Sequence, residues 1–140
     1  MFLLDTVSMS NRFKARPDPG LTERFDATLD EELFTSVIVV GELRQGLAKN
    51  PTFARSRELR IWLETVFIPS SRRRILPVTL EIAELWGEVC GTALADGRPL
   101  PPTDALIAAT AVIHELTVVT RNVRDLESCG ARVLNPWTQT

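Results

Sequence analysis

The chain has 140 residues, 44% of them hydrophobic and 24% charged, the balance of an ordinary globular protein and enough length to bury a core without staples. Its formal charge of -2 argues against free, nonspecific nucleic-acid binding, which goes with a strongly basic surface. No run reaches the roughly 18 apolar residues of a membrane span.

The opening MFLLDTVSMSNRFK is broken by Asp5 and lacks the basic leader and long apolar stretch of a signal peptide. The chain is therefore expected in the cytoplasm. Met1 to Asp5 reads as a short buried strand, with the polar residue where the strand emerges. Pro17, Pro19 and Gly20 mark a loop, and a helix is predicted from Leu21 to Leu29. Leu33 to Ser36 is a second strand, and Ser36 can cap a helix from Val37 to Leu47. The β-branched run Val37 to Val40 would also suit a strand. Pro51 opens another helix to about Val66, and Ile75 to Val78 forms a third strand.

Thr79 to Ala95 is the clearest helix, with Ile82, Trp86, Val89 and Ala93 at helical spacing. Trp86, Val89 and Cys90 read as core. Gly97 to Pro102 is a loop, and Thr103 can cap a helix from Asp104 to about His114. Leu116 to Thr120 and Ala131 to Leu134 are the remaining strands. Neither loop separates segments large enough to be domains, so residues 1–140 read as one domain. Two cysteines, Cys90 and Cys129, make neither a disulfide framework nor a zinc site and read as small buried apolar residues. Strands that alternate with helices imply an α/β fold, a parallel sheet covered on both faces. In such a sheet ligands bind at the carboxyl ends of the strands.

Three acids stand out from the solvated majority. Asp5 follows a strand that should be buried, Glu42 sits among Val39, Val40 and Leu43 inside a helix, and Asp104 starts an apolar helix. Each has an ordinary explanation alone: a loop starter that bonds its own backbone, a surface ion pair, and an acid at the positive end of a helix dipole. Together they can converge on one edge of a parallel α/β domain. Oxygen ligands of this kind suit Mg²⁺ or Mn²⁺ rather than zinc. With one histidine, His114, imidazole-based catalysis is poorly supplied, and His114 reads as structural or exposed.

Four ordered pieces carry a resemblance. Leu4-Asp5-Thr6, Ser36 to Gly46 with Glu42 and Arg44, Pro102 to Ala111 with Asp104, and Val119 to Asn122 with Val133 to Trp137 are similar to a PIN-domain protein, of the VapC and FitB-like toxin type. The resemblance spans nearly the whole chain. It implies a PIN-like fold, a parallel sheet flanked by helices, and an Mg²⁺- or Mn²⁺-dependent endoribonuclease acting as the toxin of a type II toxin–antitoxin pair. It further implies homodimers, a VapB-like antitoxin partner and contact with DNA only through that antitoxin. Carried over by position, the metal acids fall on Asp5, Glu42 and Asp104, the fourth site position on Asn122, and a supporting hydroxyl on Thr120.

Two positions depart from the pattern. Val7 stands where the family commonly has Asn, and Asn122 stands where it has Asp or Asn, so the site has less negative charge. Asp125, three residues on, could compensate, or could cap the local turn or pair with Arg121 or Arg124. Arg44 and Arg121 are candidates for phosphate contact or for structural ion pairs. An alternative reading is a weakly active or inactive PIN-like module that acts in an antitoxin–DNA regulatory complex. A phosphoacceptor domain also places an Asp at a strand end beside Mg²⁺, but it wants paired N-terminal acids and a late lysine, and no lysine follows Lys49.

Overall fold

The computed structural model describes residues 1–137. Its strands are β1 (Phe2–Leu4), β2 (Leu33–Ser36), β3 (Ile75–Leu76), β4 (Thr117–Val119) and β5 (Arg132–Leu134). They form a five-stranded sheet of order β3-β2-β1-β4-β5, and every pairing is parallel. The central strand pairs Leu3 with Phe34 on one side and with Val118 on the other. Leu3 and Leu4 are both buried, so an unbroken apolar run is what this position requires.

Among the described residues eight α-helices flank the sheet: α1 (Thr6–Ser10), α2 (Pro19–Asp26), α3 (Val37–Lys49), α4 (Ala54–Trp62), α5 (Ile68–Ser71), α6 (Leu80–Ala95), α7 (Pro102–Ile113) and α8 (Val123–Ser128). Helix α3 resolves the ambiguity of its β-branched start. The Ser36 hydroxyl accepts from the Ile38 amide at 3.0 Å, and Val39, Leu43 and Leu47 bury a stripe at helical spacing. Helix α7 is the most deeply buried helix, with Ala105, Ala108 and Ala111 letting it lie close against its neighbours.

Several boundaries differ from the sequence reading, each for a local reason. Helix α2 begins at Pro19 because Asp18 caps it, accepting from Leu21 N at 2.9 Å, a cap the sequence reading passed over. The expected helix from Pro51 begins only at Ala54, since Phe53 is extended (φ -66°, ψ 136°) at its N-cap. It then passes through a π-helical turn, Leu63–Phe67, into α5. Pro69 has no N–H to give to the helical ladder there. The third strand stops at Leu76, because Pro77 has no N–H for a sheet ladder. Thr103 is not the cap of α7; Pro101 holds that place and Pro102 opens the helix. Helix α1, read from sequence as loop, forms because Asp5 caps it.

Cys90 is half-buried and Cys129 buried, and neither is in a disulfide. His114 is exposed at the end of α7. Trp86, Val89 and Cys90 are half-buried at the margin of the core rather than inside it. No helix among the described residues is long and apolar enough to cross a membrane.

Candidate active site

The chain builds the sheet in one direction from β1 through β2 to β3, then returns to the other side of β1 with β4 and β5. The crevice outside the carboxyl ends of β1 and β4, where that order reverses, is the place a parallel sheet offers a ligand. Asp5 leaves β1 at this point, and Thr120 to Asn122 leave β4.

Asp5 does two things at once. As N-cap of α1 its Oδ1 accepts from the Ser8 amide at 2.9 Å, as its ordinary reading foresaw. The Thr120 and Ser8 hydroxyls lie close enough to its carboxylate to favour the charged form. Burial raises its pKa above the ordinary carboxylate value, these hydrogen bonds pull it back, and the Glu42 charge adds a further rise. The Ser8 hydroxyl in turn donates to the Val119 carbonyl at 2.9 Å, which ties α1 to β4.

Glu42 comes from the middle of α3. Its Oε1 accepts from the Thr6 hydroxyl at 2.6 Å, so the residue after Asp5 sets the position of the second acid. Asp104 lies in the first turn of α7, where the helix dipole favours negative charge. Burial nevertheless raises its pKa. Asn122 counters that through a hydrogen bond, and the charges of Asp5, Glu42 and Asp125 push it up again. The side-chain amide of Asn122 donates to Asp104 Oδ2 at 2.9 Å and to Asp125 Oδ2 at 3.1 Å. Its backbone N–H donates to the Thr120 hydroxyl at 2.9 Å.

Asp5, Glu42, Asp104 and Asn122 thus share one neighbourhood with Thr120 and Asp125. The four carboxylates do not close into a ready cage: among the described residues no three His, Cys, Asp or Glu side chains stand as a metal-holding group. Mutual repulsion keeps carboxylates apart, and Thr6 and Asn122 draw Glu42 and Asp104 toward separate donors. The donor chemistry still fits a hard cation. Mg²⁺ is commonly held by one or two carboxylates, with waters and substrate oxygens completing its shell. No side-chain cation neutralises these acids, since the one ion pair among the described residues joins Arg44 to Glu64 at 2.7 Å.

Arg44 thus stands in an exposed ion pair, one of its two expected roles. Asp125 pairs with neither Arg121 nor Arg124; it takes the Asn122 amide instead. Val7 is 44% exposed beside the site. Sequence reasoning missed Ser8 and Thr6. The Asp-x-x-Ser spacing after a strand is a readable N-cap signal for the first, whereas the 36 residues between Thr6 and Glu42 leave no local trace.

The PIN domain family model matches residues 2–128. A VapC ribonuclease, Y4jK, of Sinorhizobium fredii is 36% identical over 98% of this chain and 98% of its own length. Toxin FitB of Neisseria gonorrhoeae is 32% identical over 98% of this chain and 99% of its own. The crystal structure of FitAcB from the same organism matches with a TM-score of 0.89, 32% identity, and coverage of 99% of this chain and 100% of that one. DNA-bound VapBC from Salmonella typhimurium matches with a TM-score of 0.77 and 26% identity over 96% and 97% of the two chains. With its sheet order, its acids at the strand-order reversal and a match over nearly all its length, the chain belongs to the PIN-domain family.

Proposed function

We propose that this protein is the toxin of a type II toxin–antitoxin pair and that it hydrolyses RNA phosphodiester bonds with the help of Mg²⁺ or Mn²⁺. One observation carries the reading: half-buried Asp5 and Asp104 lie near Glu42 at the reversal of strand order, with no ion pair to offset them among the described residues. When bound, the divalent cation supplies positive charge against the phosphoryl oxygens and acidifies water.

Asp5 and Asp104 hold the cation. Thr6 occupies Oε1 of Glu42, which leaves Oε2 to orient the attacking water and take its proton. Asn122 fixes the rotamer of Asp104 by its amide hydrogen bond and joins the site as an auxiliary group. The domain is taken to span residues 1–140 and to act as a cytoplasmic homodimer. An antitoxin of the VapB type covers the acidic crevice with a basic side chain, and DNA is met only through that antitoxin.

The test is cleavage of a structured RNA by the purified protein, with and without EDTA, and by Asp5→Asn. Asparagine keeps the N-cap bond to Ser8, so the variant should fold and lose cleavage. Equal cleavage by wild type in EDTA, or by Asp5→Asn in Mg²⁺, would remove the metal mechanism.

A second reading draws on the open arrangement of the acids: a weakly active or inactive module that acts through an antitoxin–DNA complex. RNA left intact by the free toxin at every Mg²⁺ and Mn²⁺ concentration, together with operator binding by the toxin–antitoxin complex, would establish it.

A further inference from the structure

The acidic crevice has to admit a polyanion, and four carboxylates repel one. A bound cation offsets part of that charge at the scissile phosphate. The strand on either side still needs positive contacts, because phosphate neutralisation supplies most of the affinity of a nucleic-acid complex. Arg44 lies in an exposed ion pair with Glu64. Arg121 is placed differently.

Arg121 stands between Thr120, whose hydroxyl bonds the site, and Asn122, whose amide bonds Asp104. Its backbone is thus fixed between two residues of the acidic site. Its side chain is exposed, and it enters no ion pair or hydrogen bond with the described residues. Its guanidinium carbon lies 4.5 Å from the ring centroid of Trp137. Trp137 follows β5 and is anchored by packing against the core and by its own amide, which donates to Asn135 Oδ1 at 3.1 Å. The adjacent strands are tied at this end by the Thr120 amide, which donates to the Leu134 carbonyl at 3.1 Å.

A guanidinium against an aromatic ring is oriented without consuming its N–H groups, which lie in the plane of the group and match a phosphate in a bidentate fork. We infer that Arg121, oriented by Trp137, is a phosphate-binding residue that seats the RNA strand beside the scissile bond. This rests on the nuclease reading above.

Steady-state cleavage of a short fluorogenic single-stranded RNA in Mg²⁺, over a salt series, tests it. Arg121→Gln should raise KM about tenfold while kcat changes less than about threefold, and the slope of log(kcat/KM) against log salt should become shallower by about one unit. Arg121→Lys should keep the salt slope and recover only part of KM, because an ammonium is a point charge that cannot fork. Trp137→Leu should keep the slope and raise KM by a few fold. If it melts at the assay temperature, the two Arg121 variants carry the test alone. Wild-type KM and slope in Arg121→Gln, or a fall in kcat that tracks a lowered Tm, would overturn the inference and leave the stack a structural staple. Loss of all metal-stimulated cleavage in wild type is a different result. It sinks the nuclease reading, and the inference goes with it.

Discussion

Asp104 combines burial with three neighbouring negative charges, and the balance of these effects can be read at a single residue. The pKa values of Asp5 and Asp104 are raised above the ordinary 3.8, so the folded protein binds these protons more tightly than the unfolded chain. The metal-free protein should therefore lose stability as pH rises from 3.8 through the raised values, and should not regain it above them. At neutral pH, Asp104→Asn should raise the metal-free Tm slightly, the gain being limited by solvent screening at a half-exposed carboxylate. Mg²⁺ at a hundred times its Kd should stabilise wild type by about 2.7 kcal/mol, and this gain should vanish in Asp104→Asn. A flat wild-type Tm across a Mg²⁺ titration would contradict the assignment. The adjoining pair gives a sharper contrast. Asn122→Asp replaces the amide between two carboxylates with a third charge. Metal-free Tm should fall by a few degrees and the Mg²⁺ needed for activity should drop. Asp125→Asn should be nearly neutral. Abolished cleavage in a folded Asp125→Asn protein would make Asp125 the fourth acid.

The placement of each acid depends on how an element starts. Asp5 caps α1, Ser36 caps α3 and Asp104 stands in the first turn of α7. The caps of α1 and α3 hold those helices in register with the strands they follow, so Asp5 and Glu42 inherit the geometry of the sheet edge, whereas Asp104 comes from α7, which follows α6 and packs against it. Ser36 is fully buried and its hydroxyl takes the Ile38 amide. Ser36→Ala should cost about 1 kcal/mol in urea unfolding. It should also loosen Glu42, six residues along the same helix. An unchanged denaturation midpoint would show that α3 is held by the packing of Val39, Leu43 and Leu47 alone.

Across the whole molecule the issue is charge left open to solvent. Net charge is only -2, yet Asp5, Glu42, Asp104 and Asp125 gather at one crevice. A partner that brings a basic side chain to this place is favoured, since close unpaired negative charges are costly. Induction of the chain alone should arrest growth with visible RNA damage, and co-expression of a cognate VapB-type antitoxin should restore growth. Induced Asp104→Asn should be harmless. Normal growth and intact RNA on induction of wild type would shift the balance to the regulatory-module reading.

The α/β class, most strands, helices α3, α6 and α7, and the candidate acids were legible in the chain because hydrophobic period and capping are local properties. Asp5 beside Phe2-Leu3-Leu4, and Glu42 within an apolar helix, stand out for the same reason. The ordered motifs added the family. Proline chemistry moved boundaries at Leu76 and Pro102 by a few residues, the extended Phe53 delayed α4 to Ala54, and short elements such as α1 and α8 were too brief to show a period. Tertiary structure alone decided the rest. It brought Thr6 to Glu42 and Asn122 to Asp104 across 36 and 18 residues, paired Arg44 with Glu64, and left Arg121 on Trp137. Such partners are chosen by which strand ends lie side by side. That follows from the order β3-β2-β1-β4-β5, which is settled by burial of the whole sheet and leaves no local mark on the residues it joins.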